Sequence, residues 1–162
     1  MRIRLIKEFD KTLKIKSSEI KNIRVWLKDH YGITLCLRKI NNLAGSIDCK
    51  QRKLTINKKH LFNKHIFYST LCHELYHQIA TDNKKYATYH NLERFSKRAT
   101  KQCWKLVCRD AWKAERWVDT QGERLCSFLF PHIVYKKCYK NDTYTKNWLK
   151  VYYKEYRDWS NS

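Results

Sequence analysis

Residues 70–78 read Thr70-Leu71-Cys72-His73-Glu74-Leu75-Tyr76-His77-Gln78 and contain His-Glu-x-x-His. On an α-helix, side chains four residues apart lie one turn above each other, so His73 and His77 can aim both imidazoles at one ion. Glu74, next to His73, would stand beside that ion rather than on it. There it can take a proton from a water whose pKa the ion lowers to about 7. This is the chemistry of metal-assisted hydrolysis. The bland alternative is two surface histidines with an unrelated Glu between them. Against it, Leu71, Leu75 and Ile79 supply apolar positions at i, i+4 and i+8, and no Pro or Gly interrupts them, as in a buried helix.

A catalytic zinc takes a third protein ligand and keeps one open position. The first candidate is Glu115, within Ala114-Glu115-Arg116-Trp117-Val118-Asp119-Thr120-Gln121-Gly122-Glu123-Arg124-Leu125. Glu115 and Asp119 are i, i+4 on one face, and Val118, Gly122 and Leu125 form a small stripe that could lie against the motif helix. Asp119 would then accept a hydrogen bond from a ligating His and fix its ring. The competing reading is a surface Glu and Asp paired with nearby Arg. His90, 13 residues after His77, is the alternative metal ligand, since an imidazole serves as well as a carboxylate. His30, His60, His65 and His132 read as structural or solvent-exposed. No side chain stands out to stabilise charge developing on a carbonyl oxygen.

The rest of the chain must position these groups. At 162 residues it has room for one domain with a real core and none for a multidomain enzyme. A hydrophobic fraction of 43% with only three Gly and one Pro excludes disorder and loop-rich scaffolds. Thirty-five Lys and Arg against 15 Asp and Glu give a net charge of +20, spread evenly along the chain, a field that favours nucleic acid or acidic protein surfaces. Seven cysteines without a CxxC pair argue against a disulfide framework or zinc ribbon. With charges breaking up the apolar N-terminus and no run of about 18 apolar residues, neither a signal peptide nor a membrane span is expected, and the simplest location is a reducing cytoplasm.

The periodicity predicts an α+β fold. Ile3 and Leu5 alternate with Arg2 and Arg4 as a short strand; a helix runs from about Ser17 or Ser18, with a Ser cap, to His30, before Gly32. Segments 33–37, 44–48 and 54–56 read as strands, the last two joined by a charged turn, and together make a small sheet. Helices follow at about 65–81, 88–108, 111–128 and 144–158. In the last, Trp148, Tyr152, Tyr156 and Trp159 share one face, as core packing rather than a base-stacking platform. The expected layout is a single domain over 1–162, with a core at about 17–131 and an aromatic, basic helical extension at about 135–160.

Three pieces in order carry a family resemblance: Ala44-Gly45-Ser46-Ile47 leading to Leu54-Thr55-Ile56-Asn57, then Ser69 to His77, then Glu115-Arg116-Trp117-Val118-Asp119 running to Phe128-Leu129-Phe130-Pro131. The chain thereby resembles the ImmA/IrrE-type zinc metallopeptidases over roughly Ile33 to Pro131. The resemblance implies a compact zincin-like fold with a small N-terminal antiparallel or mixed sheet and a helical half carrying the motif. It implies Zn2+ held by His73, His77 and Glu115, with Glu74 as base. It implies a protein substrate such as a transcriptional repressor, often in mobile elements or stress responses; separately, the abundance of Lys, Asn, Ile and Tyr suits an AT-rich genome such as that of a phage or low-GC bacterium. The chain also looks like the SprT-like proteases, which act on protein bound to DNA, with His90 as third ligand. The rival from a different class is a non-catalytic, basic nucleic-acid-binding module, supported by the charge and by Lys and Arg interleaved with Tyr and Trp over 135–159.

Overall fold

The computed structural model describes residues 13–40, 43–83 and 101–137, with the backbone alone for 101–114. The described residues up to Ile79, together with Gln121–Lys136, form one compact unit; Ala80–Thr120 and the chain from Lys137 belong to a second. The elements are α1 (Ser17–Tyr31), β1 (Thr34–Arg38), β2 (Gly45–Asp48), β3 (Lys53–Asn57), a 3-10 turn (Lys58–Phe62), α2 (Lys64–Asp82) and α3 (Lys101–Leu129). This is an α+β arrangement with a small sheet, as the periodicity predicts, and the sheet is mixed. The strand expected at Ile3–Leu5, His90, and the helix at 144–158 with its aromatic stripe lie outside the described residues.

Helix α1 starts differently from the Ser cap expected. Ser17 is already helical, Lys16 holds the cap position, and the Glu19 carboxylate reaches back to accept the Lys16 N–H at 2.8 Å. A lysine side chain cannot accept, so only the Glu half of a capping box forms. The same carboxylate takes Lys64 Nζ at 3.1 Å. Burial pushes the Glu19 carboxyl up, but the hydrogen bonds from Lys16 and Lys64 and the Lys64 charge outweigh it and hold it below its ordinary value. At the other end Gly32 adopts φ 64°, and the N–H groups of Gly32 and Ile33 return to Lys28 O and Leu27 O, closing the last turn. Arg52 then caps the free Tyr31 carbonyl with Nε at 2.9 Å and Nη2 at 2.6 Å.

The strand order is β1-β3-β2, with β1 parallel to β3 and β2 antiparallel to it. The β2–β3 hairpin is the charged turn read in the sequence, where the Gln51 N–H donates to Asp48 Oδ1 at 2.8 Å. Leu54 and Ile56, on the central strand, are fully buried, as are Phe67, Leu71 and Leu75 one turn apart on α2. The motif helix therefore backs onto the sheet through the apolar stripe expected of it. Asn63 Oδ1 opens α2 by accepting the N–H groups of His65 and Ile66 at 3.1 and 3.3 Å. Among the described residues, no helix is long and apolar enough to cross a membrane.

Helix α3 corrects the expectation of two helices meeting near 109–110, because its backbone runs unbroken from Lys101 to Leu129. Arg109 and Asp110 offer neither a Gly nor a Pro, and the propensity cost of Asp in a helix interior, under about 1 kcal/mol, is too small to stop one. Pro131 does stop it. The chain beyond is tied to α2: the Val134 N–H donates to His65 Nδ1 at 3.0 Å and the Lys136 N–H to Ser69 Oγ at 2.8 Å.

Asn57, 2% exposed, closes β3 by donating Nδ2 to Ile40 O at 2.6 Å and Leu43 O at 3.0 Å while accepting the Lys59 N–H at 3.3 Å. One side chain thus pins the strand that leaves β1 beside the 3-10 turn. Asn57→Ala strips these groups of their partner and is expected to lower stability by about 1–3 kcal/mol, read as a lower urea midpoint at unchanged slope.

Candidate metal centre

His73 and His77 sit one turn apart on α2 and are 3% and 9% exposed. Their Nε2 atoms converge to 3.2 Å, with ring centroids 4.9 Å apart and planes at 73°. Two nitrogens each about 2.0–2.1 Å from a tetrahedral ion stand roughly 3.3–3.4 Å apart, so the observed separation is close to the one an ion requires. Without an ion, the same contact is an imidazole N–H of one ring donating to the ring nitrogen of the other.

A carboxylate completes the group. His73, His77 and Glu115 each offer one ligand atom, and these lie within 4.8 Å of one another. Two imidazoles and a carboxylate are a donor set that suits zinc and similar divalent ions. The residues present therefore fit a metal ion. On α3, Glu115, Asp119 and Gly122 fall at i, i+4 and i+7, one face of a continuous helix. Asp119 is 3% exposed, a buried carboxylate one turn after Glu115.

Two glycines set the spacing around the motif. At Gly122, an added Cβ would stand 3.1 Å from His73 Cα and 3.3 Å from His73 N, so α3 approaches the backbone of α2 at the first histidine. One turn on, the buried thiols of Cys72 and Cys126 share a hydrogen bond that, with burial, pushes the Cys72 thiol well up. At Gly45, an added Cβ would stand 2.6 Å from Thr70 Cγ2, 3.0 Å from Thr55 O and 3.3 Å from Glu74 Cγ. The bare backbone of β2, one of the sheet's two edge strands, thus lies against the half-buried Glu74.

The structure brings one donor atom each from His73, His77 and Glu115 together, and Glu74 follows His73 on α2. His30 is exposed, and His65 accepts the Val134 N–H. His132 is exposed too, its ring 6.4 Å from that of Tyr68. Tyr135 is the group that sequence reasoning passed over. Its hydroxyl would be 2.9 Å from a Cβ at Gly122, beside the crossing at His73. Nothing in its neighbourhood marks it, because it reaches this place only through the turn after α3.

The class these observations define is an α+β protein with two buried histidines and a half-buried carboxylate in a group able to hold a metal ion. Comparison with protein-family models, with curated proteins and with solved structures finds no significant match to this chain.

Proposed function

We propose that the chain is a zinc-dependent peptidase that hydrolyses a peptide bond in a protein substrate. The observation that carries this reading is the convergence of the His73 and His77 Nε2 atoms at 3.2 Å with a Glu115 ligand atom in the same group. Zinc, when bound there, would acidify a water and polarise the scissile carbonyl. Glu74 takes the water's proton and passes it to the leaving amine. Asp119, buried on the Glu115 face, is the positioning partner of a ligating imidazole. Gly45 supports a peptide as substrate, because an extended chain adding to the edge at β2 would run beside Glu74.

The resemblance to ImmA/IrrE-type and SprT-like proteases makes the substrate a DNA-associated regulator or repressor, and the thiols of Cys36, Cys72 and Cys126, outside any disulfide, suit a reducing cytoplasm. Metal analysis tests the site directly. Purified wild-type protein is expected to carry a stoichiometric divalent ion, and His77→Ala to lose it on dialysis while keeping its helical circular dichroism. Wild-type protein that takes up no ion after dialysis against zinc overturns the reading.

A further inference from the structure

A second site lies away from the histidines, on the basic side of the sheet. A cavity of about 750 Å3 opens between the segment leaving β1 and the 3-10 turn, and its lining includes Lys39, Lys58, Lys59 and Phe62, with Asn57 in its wall. No acidic side chain is among its described lining residues. Phe62 is 61% exposed, and Lys14 Nζ stands 5.6 Å over its ring. Among the described residues, none of these four lysines makes an ion pair with a carboxylate. An adjoining cavity of about 490 Å3 shares Lys39 and adds Arg38 and Lys53 against one acid, Asp48. Concentrating like charge around a concave, partly apolar surface raises the local potential, and among the described residues the lysines have no internal counter-ion to quench it.

We propose that this cavity binds single-stranded nucleic acid, with Lys39, Lys58 and Lys59 on successive phosphates and the Phe62 ring stacked on a base. The chemistry selects this occupant. Unpaired lysines beside an exposed aromatic ring are the two elements of a single-strand groove, charge for the backbone and a π-face for the bases. A duplex keeps its base faces stacked inside, out of reach of Phe62. Protein interfaces are depleted in lysine, which makes an acidic protein the poorer match. Asn57 positions the site by tethering Ile40 O and the Lys59 N–H to one side chain. The inference does not depend on the metal centre.

The test is fluorescence anisotropy of a labelled dT12 oligonucleotide with the full chain. Three phosphate contacts predict a slope near −2 in log affinity against log salt, so a fourfold rise in salt weakens binding roughly 20-fold. Lys58→Glu/Lys59→Glu is expected to weaken binding at least about tenfold more than Lys21→Glu/Arg24→Glu, which changes the net charge equally on the exposed face of α1. Phe62→Ala is expected to cost about 5- to 100-fold at unchanged thermal midpoint. Equal losses in the two double variants overturn the site, as does Phe62→Ala binding like wild type. Competition by poly-glutamate as effective as by unlabelled dT12 reassigns the surface to acidic proteins and overturns the proposal too. Zinc content unchanged in the Lys58→Glu/Lys59→Glu variant separates this result from any failure of the metal centre.

Discussion

Glu74→Gln is expected to keep its zinc and lose peptide hydrolysis by about 100- to 10,000-fold, the range for removing a general base. The two side chains have nearly the same shape, and Glu74 is only half-buried, so folding should be undisturbed. What changes is that an amide oxygen cannot hold the proton taken from water. The ligand atoms of His73, His77 and Glu115 are untouched, and metal content should match wild type. The assay is cleavage of a mixed quenched-peptide library alongside zinc analysis of the same samples. A Gln variant that cleaves within tenfold of wild type removes Glu74 from the chemistry. A zinc-loaded wild-type protein that cleaves no member of the library, with or without the nucleic-acid probe, removes the peptidase reading and leaves a metal-binding protein.

Gly122→Ala is the second large effect, and two opposing magnitudes decide its sign. Replacing Gly by Ala inside a helix gains about 0.8–1 kcal/mol in backbone propensity. Here the new methyl would meet His73 Cα at 3.1 Å, His73 N at 3.3 Å and Tyr135 Oη at 2.9 Å. Two of these three atoms are backbone of a buried helix and cannot turn aside, and overpacking of this kind costs about 1–3 kcal/mol. The expected net is a loss, read as a thermal midpoint lowered by about 2–4 °C per kcal/mol. Because the contact is at the first histidine of the motif, zinc affinity should fall by about tenfold or more, as when the supports of a ligand are disturbed. A variant as stable as wild type with unchanged zinc affinity would mean that the helices are not in close approach there.

Much of the fold was legible because it depends on local patterns. The alternation in Thr34–Arg38 and Lys53–Asn57, the apolar stripe through Leu71 and Leu75, and Gly32 after the last turn of α1 each reflect a preference that neighbouring residues already express. The errors also have local causes. Lys16 takes the cap position because Glu19 reaches back to its N–H, so the two serines offered as caps are not needed there. Helix α3 runs on because Arg109 and Asp110 resemble a boundary only in polarity, and polarity does not break a helix.

The residue spacing alone determined that two imidazoles and a carboxylate beside them would share one helical turn, since 3.6 residues per turn follows from backbone geometry wherever that helix forms. Which third side chain joins them was open between Glu115 and His90; the tertiary structure brings a Glu115 ligand atom into the group, while His90 lies outside the described residues. That outcome is not coded near either residue. It requires bare backbone at Gly122 for α3 to approach His73, and Gly45 for β2 to lie against Glu74. Contacts between segments tens of residues apart depend on which surfaces can come close, and a sequence shows the surfaces without showing which of them meet.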